Sequence, residues 1–224
     1  MTPSVLSLEG VFKTFDNPCR PHVLKDIDLE VKAGDFVAIT GPSGQGKSTL
    51  LSISGGLLRP DSGVVRYKGE SLYDLDDSRL DDIRSSSVGF IFQKPKMFAA
   101  LTARENIQFA LRRRLGRLAL GTADEALASY GLEDAADNLP SQLSYGQLRR
   151  LSIARALALK PELLLVDEPT NDLDERWCEK AMQDLSRMAG EHNCAVVVVT
   201  HDTRYAPLVP KRYELDGEGL HLCV

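Results

Sequence analysis

A glycine-rich segment in the first quarter of the chain has the residue types and spacing of a phosphate-binding loop. It follows the pattern GxxxxGK[ST], with the lysine at Lys47 and a hydroxyl residue at Ser48. Glycines let backbone N–H groups converge on phosphate oxygens, and the N-terminus of a following helix adds partial positive charge. We therefore expect Lys47 to contact nucleotide phosphates and the Ser48 hydroxyl to bind Mg²⁺. The loop consists of Gly41, Pro42, Ser43, Gly44, Gln45, Gly46, Lys47 and Ser48.

Two acidic residues follow a second apolar run, at residues 163–166. An acid at the carboxyl end of a central parallel strand lies at the crevice where such sheets bind ligands. We expect Asp167 to support Mg²⁺ binding and Glu168 to act as the base that polarises an attacking water. A helix-capping role for this pair is the weaker hypothesis, since Pro169 follows and the next predicted helix begins near residue 174.

Short apolar runs predict the strands that carry these residues. The run that precedes the glycine-rich loop is apolar throughout, which is typical of a strand covered on both faces. The predicted strands cover residues 5–11, 27–31, 36–39, 64–67, 88–92, 163–166 and 195–200. One helix is predicted to begin at Lys47, and the other predicted helices cover residues 102–118, 123–130, 144–159 and 174–189. Alternation of apolar strands with helices predicts a parallel sheet.

The composition is that of a globular protein. Hydrophobic residues make up 43% and charged residues 26% of the 224 residues, which excludes a disordered chain, a collagen and a coiled-coil rod. The net charge of −5 argues against a nucleic-acid partner. We expect no membrane span and no secretory leader. Four scattered cysteines predict neither a disulfide framework nor a zinc site: Cys19, Cys178, Cys194 and Cys223.

Further motifs follow in order along the chain. Residues 143–147 are LSYGQ, Gln93 follows a predicted strand, residues 171–174 are NDLD, and His201 follows the last apolar run. Together with the glycine-rich loop and the acidic pair, they resemble the nucleotide-binding subunits of ABC transporters over nearly the whole chain.

The resemblance implies the fold and the domain organisation. The expected fold is α/β: a P-loop NTPase (RecA-like) core with an N-terminal antiparallel β subdomain and an inserted α-helical subdomain. Residues 1–224 are expected to form a single ABC ATPase domain. Within it, residues 1–93 and 160–224 would form the core with the β subdomain, and residues 94–159 the helical subdomain.

The resemblance also implies ATP as the nucleotide, Mg²⁺ as its cofactor and a role for each motif. Phe15 is expected to stack on adenine, with a core aromatic as the alternative, since family members usually have Tyr there. The expected ATP-binding residues are Phe15, Gly41, Pro42, Ser43, Gly44, Gln45, Gly46, Lys47, Ser48, Thr49 and Gln93. The expected Mg²⁺ ligands are Ser48, Gln93 and Asp167. The expected catalytic residues are Lys47, Glu168 and His201, with His201 holding the hydrolytic water.

Two motifs are expected to act on a second subunit. In the family the signature faces the phosphate loop of the opposite subunit, which implies a homodimer that forms on ATP binding. The signature residues are Leu143, Ser144, Tyr145, Gly146 and Gln147, and the D-loop acids are Asp172 and Asp174. Tyr145 stands where a glycine is usual, a departure that leaves the tuning of ATP affinity open.

The remaining stretches resemble one branch of the family. Residues 75–93 and 101–107 are similar to the ATPases of lipoprotein-release, macrolide- or peptide-efflux and haem-efflux exporters. This implies an integral-membrane permease in two copies, which we expect to dock near Gln93, and a peripheral location on the cytoplasmic face of the inner membrane. Two alternatives remain, a regulatory ABC ATPase of the cell-division type and a soluble non-transport ABC ATPase.

Overall fold

Strands and helices alternate along the chain in the computed structural model, which describes residues 4–15, 22–115, 120–202 and 204–223. The strands are β1 (Ser4–Thr14), β2 (His22–Lys32), β3 (Phe36–Thr40), β4 (Ser62–Tyr67), β5 (Glu70–Ser71), β6 (Val88–Ile91), β7 (Leu163–Asp167), β8 (Ala195–Val199), β9 (Lys211–Leu215) and β10 (Leu220–Cys223). The helices are α1 (Lys47–Ser54), α2 (Asp77–Ser86), α3 (Ala103–Leu115), α4 (Leu120–Ser129), α5 (Tyr145–Ala158) and α6 (Glu175–His192). Cys19 lies outside the described residues.

The strands of the described residues form two sheets. The smaller has the order β2-β1-β4-β5 and is antiparallel throughout. The larger has the order β10-β9-β3-β8-β7-β6. Within it β9, β3, β8, β7 and β6 run parallel, and β10 is antiparallel to β9 at the edge. The predicted α/β fold, with a parallel sheet and an antiparallel sheet from the N-terminal region, is confirmed.

The large sheet is buried on both faces. Alternate residues of one strand point to opposite faces, and Ala38 belongs to one hydrophobic cluster while Val37 and Ile39 belong to the other. On the face of Ala38 the sheet packs with residues of α3, α4, α5 and α6. On the other face it packs with α1 and with the small sheet. This double coverage explains why β3, β7 and β8 are apolar along their whole length.

The carboxyl ends of β3, β7 and β8 meet at one edge of the sheet. Both Ile39 and Asp167 are aligned with Val199 of the strand between them. Just beyond, the backbone N–H of Glu168 donates to the Val199 carbonyl at 2.9 Å, and that of Thr200 to the Ile39 carbonyl at 3.1 Å. The glycine-rich loop, the acidic pair and His201 therefore leave the sheet side by side.

Some elements carry no clear apolar pattern and were not predicted. Helix α2 buries only Ile83 among its residues and begins where the Asp76 carboxylate accepts from the Arg79 N–H at 2.8 Å. Strands β5, β9 and β10 were also not predicted, and most of their residues are exposed or half-buried. Over the described ranges, no helix combines the length and apolar character needed to cross a membrane.

Candidate functional site

The glycine-rich loop between β3 and α1 approaches neighbouring backbone so closely that side chains would not fit at its ends. Gly41 has a φ of 144°, and a Cβ there would lie 2.2 Å from the Leu215 carbonyl oxygen. Gly46, at the N-cap of α1, has a φ of 92°, and its Cβ would lie 2.5 Å from the Val23 carbonyl oxygen. Glycine is the residue that tolerates both the backbone angle and the contact, so a larger residue at either position would distort the loop.

Lys47 lies under this loop, at the start of α1. The residue is buried, with 7% of its surface exposed. Its Nζ donates to the carbonyls of Gly41 at 2.7 Å and Pro42 at 2.9 Å. Burial lowers the pKa of Lys47, while the nearby carboxylates of Glu168 and Asp167 act in the opposite direction. The loop carbonyls therefore position the cation, and the charges of the acidic pair favour its protonated form.

An open cleft of about 460 Å³ lies over the loop. Its lining residues are Phe15, Val23, Ser43, Gly44, Gly46, Lys47, Ser48, Thr49, Gln93, Asp167 and Glu168. Phe15 is 44% exposed, so it is not a core aromatic residue. Gly41, Pro42 and Gln45 belong to the loop without lining the cleft. Val23 was missed from the sequence, because an apolar residue at a strand end gives no chemical signal.

Asp167, at the end of β7, is suited to bind a cation. Its Oδ1 is buried and has no hydrogen-bond partner among the described residues. Burial raises the pKa of Asp167, an effect that a hydrogen bond from the Ser48 hydroxyl and the charges of Arg149 and Lys47 oppose. A buried carboxylate oxygen beside a serine hydroxyl matches the oxygen ligands that Mg²⁺ takes in nucleotide sites.

Glu168 adopts a left-handed backbone conformation, with a φ of 49°. For a residue with a side chain this conformation costs about 1–2 kcal/mol. Its carboxylate, which is almost fully buried, accepts from the Thr200 hydroxyl at 3.1 Å and from the His201 N–H at 3.3 Å. It also lies 2.7 Å from His201 Nδ1. The carboxylate thus faces the cleft with the histidine beside it.

The signature residues lie elsewhere on the same chain. Ser144 caps α5: its hydroxyl accepts from the Gln147 N–H at 3.2 Å, while Gln147 Oε1 accepts from the Ser144 N–H at 2.8 Å. Leu143 is buried and Tyr145 is exposed. A Cβ on Gly146 would lie 3.5 Å from the carbonyl oxygen of Asp172. The described lining of the cleft includes none of these residues.

The D-loop acids also stand apart from the cleft lining. Asp172 has a left-handed backbone, with a φ of 62°. Asp174 is the N-cap of α6, and its carboxylate accepts from the Trp177 N–H at 3.1 Å. The structure thus gives Asp174 a local capping contact that the motif alone does not reveal.

Arg149 is a further residue of the site that was missed as a functional residue. It is fully buried, and its guanidinium donates to the backbone carbonyls of Gln93, Asp167 and Glu168. A sequence signal does exist, since Arg149 shares the buried stripe of α5 with Ser152, Ile153 and Ala156. A cation on such a stripe has a specific partner inside the protein.

Comparisons with known proteins agree with this geometry. The profile of the ABC transporter family matches residues 24–171. The lipoprotein-releasing system ATP-binding protein LolD of Myxococcus xanthus is 37% identical over 217 residues, which cover 96% of this chain and 97% of that protein. The macrolide export ATP-binding/permease protein MacB of Mannheimia succiniciproducens is 42% identical over 202 residues, covering 88% of this chain but 31% of that longer protein.

A solved structure is similar over nearly the whole chain. It is the dimeric, post-hydrolysis state of the ATP-binding cassette MJ0796 bound to ADP and Pi, with a TM-score of 0.89 and 40% identity over 96% of both chains. MJ0796 is a protein of Methanocaldococcus jannaschii. The matched fold, the family profile and the curated relatives all lead to the same conclusion. This chain belongs to the ABC transporter family, as one of its ATP-hydrolysing cassettes.

Proposed function

We propose that this chain binds Mg-ATP in the cleft over the glycine-rich loop and hydrolyses it to drive a membrane exporter. The observation that carries the proposal is the meeting of Lys47, Ser48, Asp167 and Glu168 at one cleft, with His201 hydrogen-bonded to Glu168. The direct test is phosphate release by the purified chain, measured with and without a candidate membrane partner.

The loop and Lys47 bind the phosphates. Backbone N–H groups at the N-terminus of α1 carry partial positive charge, and Lys47 adds a full charge that the loop carbonyls already hold in place. Ser43, Gly44 and Thr49 line the same cleft. Phe15 lies at the cleft with an exposed ring, where it can stack on the adenine.

Ser48, Gln93 and Asp167 are the residues that would hold Mg²⁺. Each supplies an oxygen at the cleft, and the buried Oδ1 of Asp167 lacks a partner among the described residues. When bound, the ion neutralises charge that develops on the transferring phosphoryl group.

Removal of Mg²⁺ should stop hydrolysis. Ser48→Ala removes a hydroxyl ligand, so we expect it to raise the Mg²⁺ concentration for half-maximal activity by about tenfold. Ser52→Ala is the matched control, since Ser52 lies one turn further along α1 and donates to the Ser48 carbonyl at 2.8 Å. Phosphate release is titrated with MgCl₂ for each variant. Turnover that persists in EDTA would contradict the assignment.

Glu168 and His201 act on the water. The Glu168 carboxylate accepts the proton of the attacking water as the oxygen bonds to the γ-phosphorus and the bond to the leaving ADP oxygen breaks. The hydrogen bonds from Thr200 and His201 fix the direction of the carboxylate. His201, the more exposed of the pair, can then contact the γ-phosphate and hold the water.

A second copy of the chain completes the site. Ser144 and Gly146 stand at the N-terminus of α5, which offers N–H groups and partial positive charge, yet they are not part of the described lining of their own cleft. Two chains placed head to tail bring each signature to the other chain's ATP in an isologous contact. Asp172 and Asp174 lie beside that contact.

A groove on the other side of the Gln93 segment is the docking site for the permease. It has a volume of about 400 Å³, and Phe92, Lys96 and Phe98 line it, whereas Gln93 itself lines the nucleotide cleft. Phe98 and Phe109 are 50% and 43% exposed and pack edge to face, with ring centroids 4.7 Å apart. Exposed aromatic residues at a groove are typical of protein interfaces.

We propose that this groove binds a cytosolic helix of an integral-membrane permease. The complex would contain two copies of the permease. The names of the relatives LolD and MacB favour a lipoprotein or macrolide exporter, with peptide and haem export as further members of this branch. Such a complex would place the chain on the cytoplasmic face of the inner membrane. Hydrolysis that no membrane partner stimulates would favour the regulatory or soluble alternatives instead.

A photo-cross-linker placed at Phe98, or elsewhere within residues 94–104, should therefore capture the permease. The control position is Leu222 on β10, at the opposite edge of the large sheet and 62% exposed. Cross-linked products are identified by mass spectrometry of the membrane-bound complex. Capture of the permease from Leu222 and not from residues 94–104 would overturn this docking site.

A further inference from the structure

The buried guanidinium of Arg149 joins the helix of the signature to the catalytic edge of the sheet. Arg149 lies in the second turn of α5 and is fully buried. Its Nη1 donates to the carbonyls of Phe92 and, at 3.4 Å, Gln93. Its Nη2 donates to the carbonyls of Asp167, at 2.9 Å, and Glu168. The two terminal nitrogens of the guanidinium thus contact four peptide carbonyls, while the buried Nε has no hydrogen-bond partner among the described residues.

Those four peptide groups stand at the ends of neighbouring strands. Strands β6 and β7 pair in parallel, with Ile91 aligned with Val166. Phe92 and Gln93 leave the sheet from β6, and Asp167 and Glu168 from β7. One rigid, planar side chain therefore fixes the spacing between the Gln93 segment and the acidic pair.

The contact at Glu168 falls on a strained peptide. The left-handed backbone of Glu168 turns its carboxylate toward Thr200 and His201. Such a conformation persists only where surrounding contacts stabilise it. The hydrogen bond from Arg149 to the Glu168 carbonyl is one of these contacts. Loss of this bond would let the carboxylate move away from the water that it must deprotonate.

We infer that Arg149 is a positioning residue for hydrolysis, which holds Glu168 in the orientation that the reaction needs and links it to the signature helix. The inference rests on the proposed role of Glu168 as the base. If Arg149 has this role, the rate of hydrolysis depends on the position of α5. Arg149 is part of this helix, whose N-terminus faces the ATP bound to the partner. The hydrogen bonds described for Arg149 reach none of the loop residues 41–48, so we expect the loop to bind the ATP phosphates equally well when Arg149 is replaced.

Arg149→Lys tests this inference. A lysine keeps a cation at the position but cannot reach four carbonyls at once. We expect kcat for ATP hydrolysis to fall about 10- to 100-fold, with KM for ATP and the affinity for a fluorescent ATP analogue changed less than about twofold. The matched control is Arg150→Lys, since Arg150 also donates to backbone carbonyls, those of Tyr130 and Gly131, away from the acidic pair. An unchanged kcat in Arg149→Lys, or a rise in KM alone, would overturn the inference.

A double-mutant cycle with Glu168→Gln tests this inference separately from the proposed role of Glu168 as the base. If Arg149 acts through Glu168, then Arg149→Lys should lower kcat less than about threefold further in the Glu168→Gln background. A full additional loss in that background would show that Arg149 acts elsewhere. If Glu168→Gln alone leaves hydrolysis near the wild-type rate, the assignment of Glu168 as the base fails.

A second variant covers the case in which a buried lysine prevents folding. Arg149→Gln carries no charge, and its shorter side chain has only two N–H groups for the four carbonyls. Folding is checked by thermal unfolding followed by circular dichroism. A folded Arg149→Gln should show the same fall in kcat at unchanged ATP affinity, and wild-type kcat in this variant would overturn the inference.

Discussion

Glu168→Gln should slow ATP hydrolysis by about 10²–10⁴-fold, because it removes the general base. The amide has nearly the same shape as the carboxylate, so the contacts with Thr200 and His201 can be kept. Binding of Mg-ATP should remain, since Lys47, Ser48 and the loop are untouched. Phosphate release at saturating ATP measures the effect.

The same substitution should trap the dimer. The carboxylate of Glu168 would repel the γ-phosphate across a dry interface, and the neutral amide removes this repulsion. We expect the variant to elute as a dimer with Mg-ATP and as a monomer with ADP, as measured by light scattering. A variant that stays monomeric at saturating ATP would contradict a composite site formed by two copies alone.

Glu191→Gln is the control for both measurements. It makes the same chemical change at an exposed residue in the last turn of α6. Helix α6 leaves the carboxyl edge of the sheet after β7 and returns to the opposite edge before β8, so Glu191 lies far from the cleft. Hydrolysis and elution of this variant should match those of the wild type.

Lys47→Ala should abolish hydrolysis and weaken nucleotide binding by at least about tenfold, the scale of a lost charge-assisted contact to phosphate. Lys47 is the cation that the loop carbonyls of Gly41 and Pro42 hold beside the phosphate position. Alanine also removes the two hydrogen bonds that hold the loop closed. Calorimetric titration with ATP and a phosphate-release assay measure the two effects.

Lys32→Ala provides the control for the lost positive charge. Lys32 ends β2, and its ammonium lies 3.9 Å from the exposed carboxylate of Glu30, a surface pair that contributes little. ATP binding and hydrolysis by this variant should equal those of the wild type. Hydrolysis by Lys47→Ala within about threefold of wild type would remove the phosphate-loop assignment.

The sequence by itself determined those features that require particular residues next to one another in the chain. A loop that wraps phosphate needs glycines and a lysine at fixed spacing, and this pattern is visible between residues 41 and 48. The run before Asp167 is apolar at every position because β7 is covered on both faces, so it too is visible as a pattern. The α/β fold followed from these runs and from the family resemblance.

Elements without a strong pattern could not be predicted. Helix α2 buries only Ile83, so its apolar face is too narrow to show a period, and its start depends on the Asp76 cap. Strands β9 and β10 lie at the edge of the large sheet and are mostly half-buried or exposed, which blurs the alternation of apolar and polar residues.

Only the tertiary structure decided which distant residues share the site. The register of β3, β8 and β7 sets Glu168 beside His201, and the ends of β6 and β7 give Arg149 its four carbonyls. Packing also separates the signature from its own cleft, although one chain carries both. A local sequence pattern depends only on residues that are close together in the chain. These contacts join residues from 18 to 57 positions apart, so they depend on how the sheet and the helices pack.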